Sequence, residues 1–307
     1  MKKLILLSLW LLGAAGQVAI AEDLIVGGQN VARRDPIADS TVGVFSPNAD
    51  GHSGALCLGT LIRKDIALPA AHCIQPGTKP VLIFNRDLHA PGAIHRVAQG
   101  VSVNPKWAKR AGKGMDQGDI ALVKFGGPTP AGYHPVLPVS SDSAIRNGEK
   151  VTLAGYGITN ARTHAGAGRL RRAEGSVLNS RPGKSEMILD QAHGRGACHG
   201  DSGGPAFVKT RGGISLAGLT NRSYPDSAPD DCAHDVVYTK LPAYKSWIAR
   251  SEKKLESNSP SNSFRKRMKN PLQTRAHLRV VRKERGARAH GAHTVAVHRS
   301  VPRHRHG

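Results

Sequence analysis

The chain has 307 residues, and 39% of them are hydrophobic, which is enough for a well-buried core. It has 35 glycines and only 4% aromatic residues, a balance that favours a turn-rich β protein and argues against a helical bundle. The formal net charge is +22, and positions 256–307 alone carry 13 Lys and Arg residues against two acids, Glu256 and Glu284. Half of the excess charge therefore lies in one C-terminal segment.

The first 21 residues predict a secretory signal peptide. A basic start, Met1 to Lys3, precedes an apolar run from Leu4 to Gly13, and Ala19-Ile20-Ala21 has the form of a signal cleavage site. The apolar run is too short to cross a bilayer, which takes about 20 residues. No other stretch of the sequence is long and apolar enough to do so. We therefore predict a protein secreted to the periplasm or the extracellular space, with no membrane span.

Four cysteines follow this segment: Cys57, Cys73, Cys198 and Cys232. An even number in an exported protein favours disulfides over metal ligands. None of them belongs to a C-x-x-C pair, so we predict no zinc or other metal site. Four cysteines permit three pairings, and spacing alone does not choose among them.

Short apolar runs alternate with turn-forming clusters from Ile25 onward. Many short strands separated by Gly- and Pro-rich turns predict an all-β sandwich or barrel. The clearest strands are Val42–Phe45, Leu56–Ile62, Ile120–Phe125, Val151–Tyr156, Ser215–Thr220 and Val236–Lys240.

One helix is predicted near the C-terminal end of this region, from Leu241 to Leu255. Pro242 suits the first turn of a helix, and Tyr244, Trp247 and Ile248 recur at helical spacing.

The composition changes after Leu255. Residues 256–263 read as a Ser/Asn/Pro linker, and residues 264–307 are rich in Arg, His and Ala. The few apolar residues in this segment cannot offset the entropy of ordering it, and we therefore expect residues 256–307 to be disordered.

A cationic tail at 264–307 would bind polyanions such as nucleic acid or an anionic cell surface. A solvated extension without a partner and a segment read in the wrong frame remain alternative interpretations. The scattered histidines of the tail make no defined metal site.

Three motifs suited to acyl transfer follow one another along the chain. They are Ala70-Ala71-His72-Cys73, Gly118-Asp119-Ile120-Ala121-Leu122 and Gly200-Asp201-Ser202-Gly203-Gly204-Pro205. Serine is a poor nucleophile by itself, so Ser202 needs His72 as a base, and Asp119 would fix the tautomer of that base. The backbone N–H groups of Gly200 and Ser202 would face the developing oxyanion, since glycine lets the backbone approach closely. The third motif is the most specific, because a tight glycine turn around one exposed serine has few structural uses.

With these motifs, together with Ile25-Val26-Gly27-Gly28 and Gly155-Tyr156-Gly157, the sequence resembles the trypsin/chymotrypsin-like serine protease family over residues 25–255. The resemblance implies two six-stranded antiparallel β-barrels with a C-terminal helix and the catalytic groups in the cleft between them. It implies a secreted, monomeric serine endopeptidase that acts on proteins or peptides through an acyl-enzyme on Ser202, with no cofactor. It also implies the disulfides Cys57–Cys73 and Cys198–Cys232.

The resemblance further implies an activation step. In the family, the freed ammonium group at the position of Ile25 pairs with the carboxylate at the position of Asp201 and shapes the oxyanion hole. Cleavage of the signal after Ala21 would leave residues 22–24, a short propeptide. Because Leu24 precedes Ile25, we expect another protease to remove it and not a trypsin-like self-cleavage.

The expected substrate pocket departs from trypsin-like members. Gly196 stands where those members have an acid, so no carboxylate is available there for a P1 Arg or Lys. Asn221 and Ser223 would line the substrate backbone, and Val236 would narrow the pocket. We therefore predict small or medium apolar P1 residues. An acid from the following loop, Asp226, Asp230 or Asp231, could also reach the pocket.

The rival class is a catalytically silent binding protein on the protease fold, attached to anionic surfaces by its tail. Such relatives usually lose one of the three catalytic residues, and all three are present here. A small-ester hydrolase is disfavoured, since Ser202 is not in a G-x-S-x-G motif.

Overall fold

The computed structural model describes residues 25, 28–32, 34–48, 50, 53–191, 196–228 and 232–258. The predicted signal peptide, the propeptide and the tail beyond residue 258 lie outside the described residues. The chain divides into one unit ending at Ala249 and a second beginning at Arg250. Both barrels and all the candidate site residues belong to the first unit. Among the described residues, no helix combines the length and apolarity that crossing a membrane requires.

The first half of the chain forms a closed antiparallel barrel of six strands, in the order β2-β3-β4-β7-β6-β5. Its centre is filled by buried aliphatic and aromatic side chains, among them Val42, Leu61, Leu82, Val123 and Phe125. The strands are β2 (Thr41–Pro47), β3 (Gly54–Arg63), β4 (Ile66–Pro69), β5 (Val81–Phe84), β6 (Ile94–Val103) and β7 (Ala121–Phe125). A short helix α1 (Trp107–Arg110) lies in the connection between β6 and β7.

The second half forms another six-stranded barrel. The strands run in the order β9-β10-β13-β12-β11-β8, and pairing of β8 with β9 closes the barrel, while a short β1 (Gln29–Asn30) pairs with β9 from outside. Val151, Leu153, Val177, Met187 and Tyr238 fill its core. The strands are β8 (Lys150–Gly155), β9 (Arg171–Asn179), β10 (Glu186–Asp190), β11 (Pro205–Thr210), β12 (Gly213–Tyr224) and β13 (Asp235–Lys240).

The two closed barrels confirm the fold class that the sequence predicts, and each of the six predicted strands overlaps a strand of the structure. The predicted helix begins differently. Leu241–Tyr244 form a 3-10 turn, and the α-helix proper, α2, is Lys245–Ser257. The helix thus extends two residues into the segment expected to be a linker.

Tyr156, which directly follows β8, joins the two barrels. Its hydroxyl donates to the carbonyl of Asn85 at 2.8 Å and lies 3.3 Å from the carbonyl of Thr41. Tyr156 is buried, and burial raises the pKa of its hydroxyl well above the ordinary value. The hydroxyl therefore stays protonated and links the second barrel to backbone of the first.

Candidate active site

His72 lies in a 3-10 turn, Ala71–Cys73, directly after the buried strand β4. Cys73 forms a disulfide with Cys57 of β3, with their Cα atoms 6.0 Å apart. The turn is thus attached covalently to a central strand of the first barrel. The side chain of His72 remains about one-quarter exposed.

Asp119 holds His72 by two hydrogen bonds. The Oδ2 atom of Asp119 lies 2.7 Å from Nδ1 of His72, and its Oδ1 accepts from the backbone N–H of His72 at 2.9 Å. Asp119 is completely buried just before β7, and its own carbonyl accepts from Thr239 Oγ1 at 2.9 Å. A carboxylate on Nδ1 fixes the tautomer that leaves Nε2 free to accept a proton.

Asn221 supplies a further donor to Asp119. In the amide orientation that satisfies both polar atoms of the side chain, Nδ2 donates to Asp119 Oδ2 at 3.0 Å, and the amide oxygen accepts from Arg222 Nη1 at 3.3 Å. The sequence places Asn221 in the substrate pocket. The structure places it both there and against the carboxylate that orients His72.

The loop of Ser202 packs closely on the backbone around His72. A Cβ atom on Gly203 would lie 2.5 Å from the carbonyl oxygen of Leu58 and 2.8 Å from the nitrogen of Ala70. The carbonyl of Ser202 accepts from the N–H of Leu58 at 2.8 Å. The structure therefore brings Ser202 and His72 to the same region, although the described residues include no hydrogen bond between their side chains. Such bonds are often long before substrate binds.

Gly200 has the backbone geometry expected next to an oxyanion. Its φ is +89°, a conformation that favours glycine, and a Cβ atom there would lie 3.1 Å from the Cα of Gly157. Among the described residues, the N–H groups of Gly200 and Ser202 donate to no other backbone group.

Asp201 is turned into the interior between these two residues. Its carboxylate accepts from the N–H of Gly157 at 2.8 Å and from the N–H of Cys198 at 2.9 Å. Burial raises the pKa of Asp201 to about 6, against the lowering effect of the two N–H groups and of the nearby Arg171 and His199. Ile25 is also buried, and its nitrogen is bonded to Leu24 in the uncut chain. Its ion pair with Asp201 after cleavage stays a prediction.

A cavity of about 160 Å³ opens beside Ser202. The Cys198–Cys232 disulfide, with a Cα separation of 5.3 Å, braces one wall. Of the four predicted pocket residues, Asn221, Ser223 and Val236 line the cavity and Gly196 does not. The other lining residues include Gln191, Ala197, His199, Thr220, Arg222 and His234.

Gln191 explains the glycine at position 196. A Cβ atom on Gly196 would lie 2.2 Å from Gln191 Oε1. The amide of Gln191 is held by Ala197 on both sides, since Oε1 accepts from the N–H of Ala197 at 2.8 Å and Nε2 donates to its carbonyl at 2.6 Å. Nε2 also lies 3.2 Å from the carbonyl of Cys232. The part of the cavity lining that Gln191 contributes is therefore a neutral, hydrogen-bonded amide.

Arg222 forms the charged part of the cavity wall. It pairs with the buried Glu186 at 3.2 Å and with Asp226 at 2.9 Å. Asp226 was expected as one acid that could reach the pocket. Its carboxylate is exposed, pairs with Arg222 and is not among the residues that line the cavity. Asp230 and Asp231 lie outside the described residues.

Two clusters combine a histidine with two cysteines, His72 with Cys57 and Cys73, and His199 with Cys198 and Cys232. In both clusters the cysteines form a disulfide. Cysteine binds a metal as a thiolate, and a disulfide has none. Each cluster therefore offers one histidine and no cysteine ligand, which does not make a metal site.

The sequence analysis did not identify Gln191, Arg171 or Arg222. Gln191 and Arg171 belong to no motif, and their burial depends on tertiary contacts. A usable signal for Gln191 was its position, five residues before the glycine that replaces the expected acid.

Comparison with known proteins agrees with this geometry. A protein-family model described as Trypsin matches residues 25–248. The chain is 30% identical over 221 residues to a protein named Chymotrypsin from Phaedon cochleariae, covering 67% of this chain and 75% of that protein. It is 29% identical over 268 residues to a protein named Trypsin-like protease from Streptomyces glaucescens, covering 78% of this chain and 91% of that protein.

Proposed function

Since the chain belongs to the trypsin family of serine peptidases, we propose that it is a secreted endopeptidase that hydrolyses peptide bonds through an acyl-enzyme on Ser202. The observation that carries the proposal is the 2.7 Å contact between Nδ1 of His72 and the buried Asp119, close to the Ser202 loop. A buried carboxylate on a partly exposed imidazole is what a base for serine requires.

The catalytic steps follow from these positions. Ser202 Oγ attacks the scissile carbonyl carbon while His72 Nε2 takes the hydroxyl proton, and Asp119 stabilises the imidazolium that forms. The N–H groups of Gly200 and Ser202 donate to the oxyanion. His72 then gives the proton to the leaving amine, and water, deprotonated by His72, hydrolyses the acyl-enzyme.

For the substrate, we propose small or medium uncharged P1 side chains. The cavity is small, the neutral amide of Gln191 lines it, and no Asp or Glu is among its described lining residues to receive a P1 Arg or Lys. Val236 of β13 lines the cavity and would limit the size of the P1 side chain.

For the maturation of the protein, we propose that residues 1–21 direct export and that another protease then removes residues 22–24. This cleavage would free the ammonium group of Ile25 as a partner of Asp201. The two disulfides support an oxidising compartment.

The test is hydrolysis of casein by the purified protein, alongside Ser202→Ala and the control Ser143→Ala, an exposed serine that does not line the cavity. We expect casein cleavage by the wild type and by Ser143→Ala, and none by Ser202→Ala. A fluorophosphonate should add one covalent mass to the wild type and none to Ser202→Ala. If the correctly oxidised wild type neither cleaves casein nor reacts, the proposal is wrong and the silent binding protein becomes the better interpretation. Cut sites confined to Arg and Lys would overturn the P1 proposal alone.

A further inference from the structure

Glu186 and Arg222 form a buried ion pair beside the candidate active site, and the catalytic steps above use neither residue. Glu186 is the first residue of β10 with a side chain that is 1% exposed, while Arg222, on β12, is 18% exposed. Both carboxylate oxygens of Glu186 accept from the guanidinium, Oε1 from Nη1 at 3.3 Å and Oε2 from Nη2 at 3.2 Å. Two parallel hydrogen bonds of this kind fix the orientation of a guanidinium as well as its position.

A line of hydrogen bonds leads from this guanidinium to the base. Arg222 Nη1 donates to the amide oxygen of Asn221 at 3.3 Å, and Nδ2 of the same amide donates to Asp119 Oδ2 at 3.0 Å. That Oδ2 atom is also the one that lies 2.7 Å from His72 Nδ1. The buried carboxylate of Glu186 is therefore joined to the imidazole through three intervening side chains.

The ion pair also holds the chain segment that leads into Asp119. Glu186 Oε1 accepts from the backbone N–H of Gln117, two residues before Asp119, at 3.1 Å. Arg222 Nη2 donates to the carbonyl of Gly114 at 3.0 Å, and the buried side chain of Gln117 donates to the same carbonyl at 2.9 Å. The pair thus limits the position of Asp119 by two routes, one through an amide side chain and the other through the backbone.

A carboxylate that orients a base must itself be held, since a displacement of about 1 Å can cost roughly 100-fold in rate. A buried ion pair is expensive to desolvate and often adds no net stability, so its place beside Asp119 is better explained by positioning. We propose that Glu186 and Arg222 are positioning residues, which hold Asn221 and the Gln117 backbone against Asp119 and thereby fix the orientation of His72. The inference rests on the proposed function, because orienting the base matters only if the protein cleaves through Ser202.

The first test separates positioning from substrate binding, since Arg222 also lines the cavity. We expect Arg222→Met to lower kcat about tenfold and to change KM by less than about threefold. Arg222→Lys, which keeps a charged donor, should recover part of the loss. The control Arg172→Met breaks a partly buried ion pair with Asp35, outside the site, and should keep the wild-type kcat. A loss that appears in KM with kcat unchanged would assign Arg222 to substrate binding alone and overturn the inference.

A second variant guards against loss of the fold, because Arg222→Met leaves the carboxylate of Glu186 buried without its partner. The double variant Glu186→Gln with Arg222→Met removes both charges and should therefore be more stable than Arg222→Met alone. We expect its Tm to return toward the wild-type value while its kcat stays low. Recovery of kcat together with Tm would show that the pair acts only through stability, and would overturn the inference.

The third test asks whether Arg222 acts through Asn221. In an Asn221→Ala background, Arg222→Met should lower kcat by less than about threefold, against about tenfold in the wild type, because the amide that connects Arg222 to Asp119 is already gone. If the two losses multiply instead, as they do for independent sites, the inference is wrong.

The last test needs no activity, so it separates failure of the inference from failure of the proposed function. The backbone N–H of His72 donates to Asp119 Oδ1 at 2.9 Å, so its hydrogen exchange reports how firmly Asp119 is held. We expect this exchange to be at least about tenfold faster in the Glu186→Gln, Arg222→Met double variant than in the wild type. The N–H of Leu58, which donates to the carbonyl of Ser202 at 2.8 Å, is the internal reference and should keep its wild-type rate.

Two outcomes of the exchange measurement would overturn the inference whether or not the protein cleaved a substrate. One is an unchanged rate at His72, and the other is an equal acceleration at His72 and Leu58, which would indicate general loosening. Acceleration at His72 alone, in a protein that cleaves nothing, would instead leave the positioning of Asp119 established and the proposed function wrong.

Discussion

The side chain of Gln191, which lines the cavity, occupies the space that a Cβ atom on Gly196 would need. The amide oxygen of Gln191 lies 2.2 Å from the place of a Cβ atom on Gly196, and Ala197 holds this amide from both sides. The absence of an acid at position 196 is therefore matched by a neighbour that fills the space. Specificity for an uncharged P1 residue would then depend on two positions and not on one.

The first prediction concerns this pair. Gly196→Asp alone should lower the free energy of unfolding by about 1–3 kcal/mol, because the new side chain overlaps Gln191, and it should not produce cleavage after Arg or Lys. The double variant Gly196→Asp with Gln191→Ser should recover part of the stability and gain such cleavage. Urea unfolding and mapping of casein cut sites would measure both effects. Efficient cleavage after Arg by the single variant would contradict the prediction.

The second prediction concerns the donor to Asp119. Asn221→Ala removes a hydrogen bond of 3.0 Å to a buried carboxylate, so it should lower kcat/KM by about 10–100-fold. The loss should appear mainly in kcat, since His72 would be less well oriented. Ser223→Ala, which changes the same cavity away from Asp119, should alter mainly KM. A loss below threefold in Asn221→Ala would show that Asp119 does not depend on this amide.

The third prediction concerns the contact between the Ser202 loop and β3. Gly203→Ala should cost about 2–4 kcal/mol of stability, because φ is +73° and the new Cβ would meet the backbone of Leu58 and Ala70. Gly212→Ala is the matched control, since a Cβ atom there meets nothing within 4 Å. The free energies of unfolding of the two variants give the comparison, and similar values would contradict the assigned contact.

The fourth prediction ranks the disulfides. In the chain-entropy model, replacing Cys57 and Cys73 by alanine should cost about 3 kcal/mol, and replacing Cys198 and Cys232 about 4 kcal/mol, because the second disulfide closes the longer loop. Only the first pair bounds the turn of His72, so its removal should also reduce kcat. Urea unfolding of the two double variants measures the loss of stability, and kcat is measured on each. A larger loss of unfolding free energy on removing Cys57–Cys73 than on removing Cys198–Cys232 would contradict the predicted order.

Much of the fold follows from patterns that are local in the sequence. The strand around Val123 is buried on both faces and reads as an apolar run, so it could be predicted. The strand β6 could not, because Ile94 and Val97 are exposed and polar residues alternate with them irregularly. The 3-10 turn at Leu241 was also missed, since the same apolar spacing suits either kind of helix.

The candidate site divides in the same way. Motifs suggested His72, Asp119 and Ser202 because their neighbours in sequence are unusual. Gln191 and Arg171 were invisible for the opposite reason, since a glutamine and an arginine are normally exposed. In the fold, Gln191 packs against Gly196, where a Cβ atom would not fit, and Arg171 donates to the carbonyl of Gly157.

The position of Tyr156 has a consequence for how the molecule comes apart. Its hydroxyl bonds the backbone of the first barrel, and the next residue, Gly157, holds the carboxylate of Asp201. Separation of the barrels would therefore displace the peptide group that is hydrogen-bonded to Asp201, the residue between Gly200 and Ser202. The two halves should therefore melt in one cooperative transition, and an opened molecule would lose the arrangement of the backbone around Ser202 at the same time.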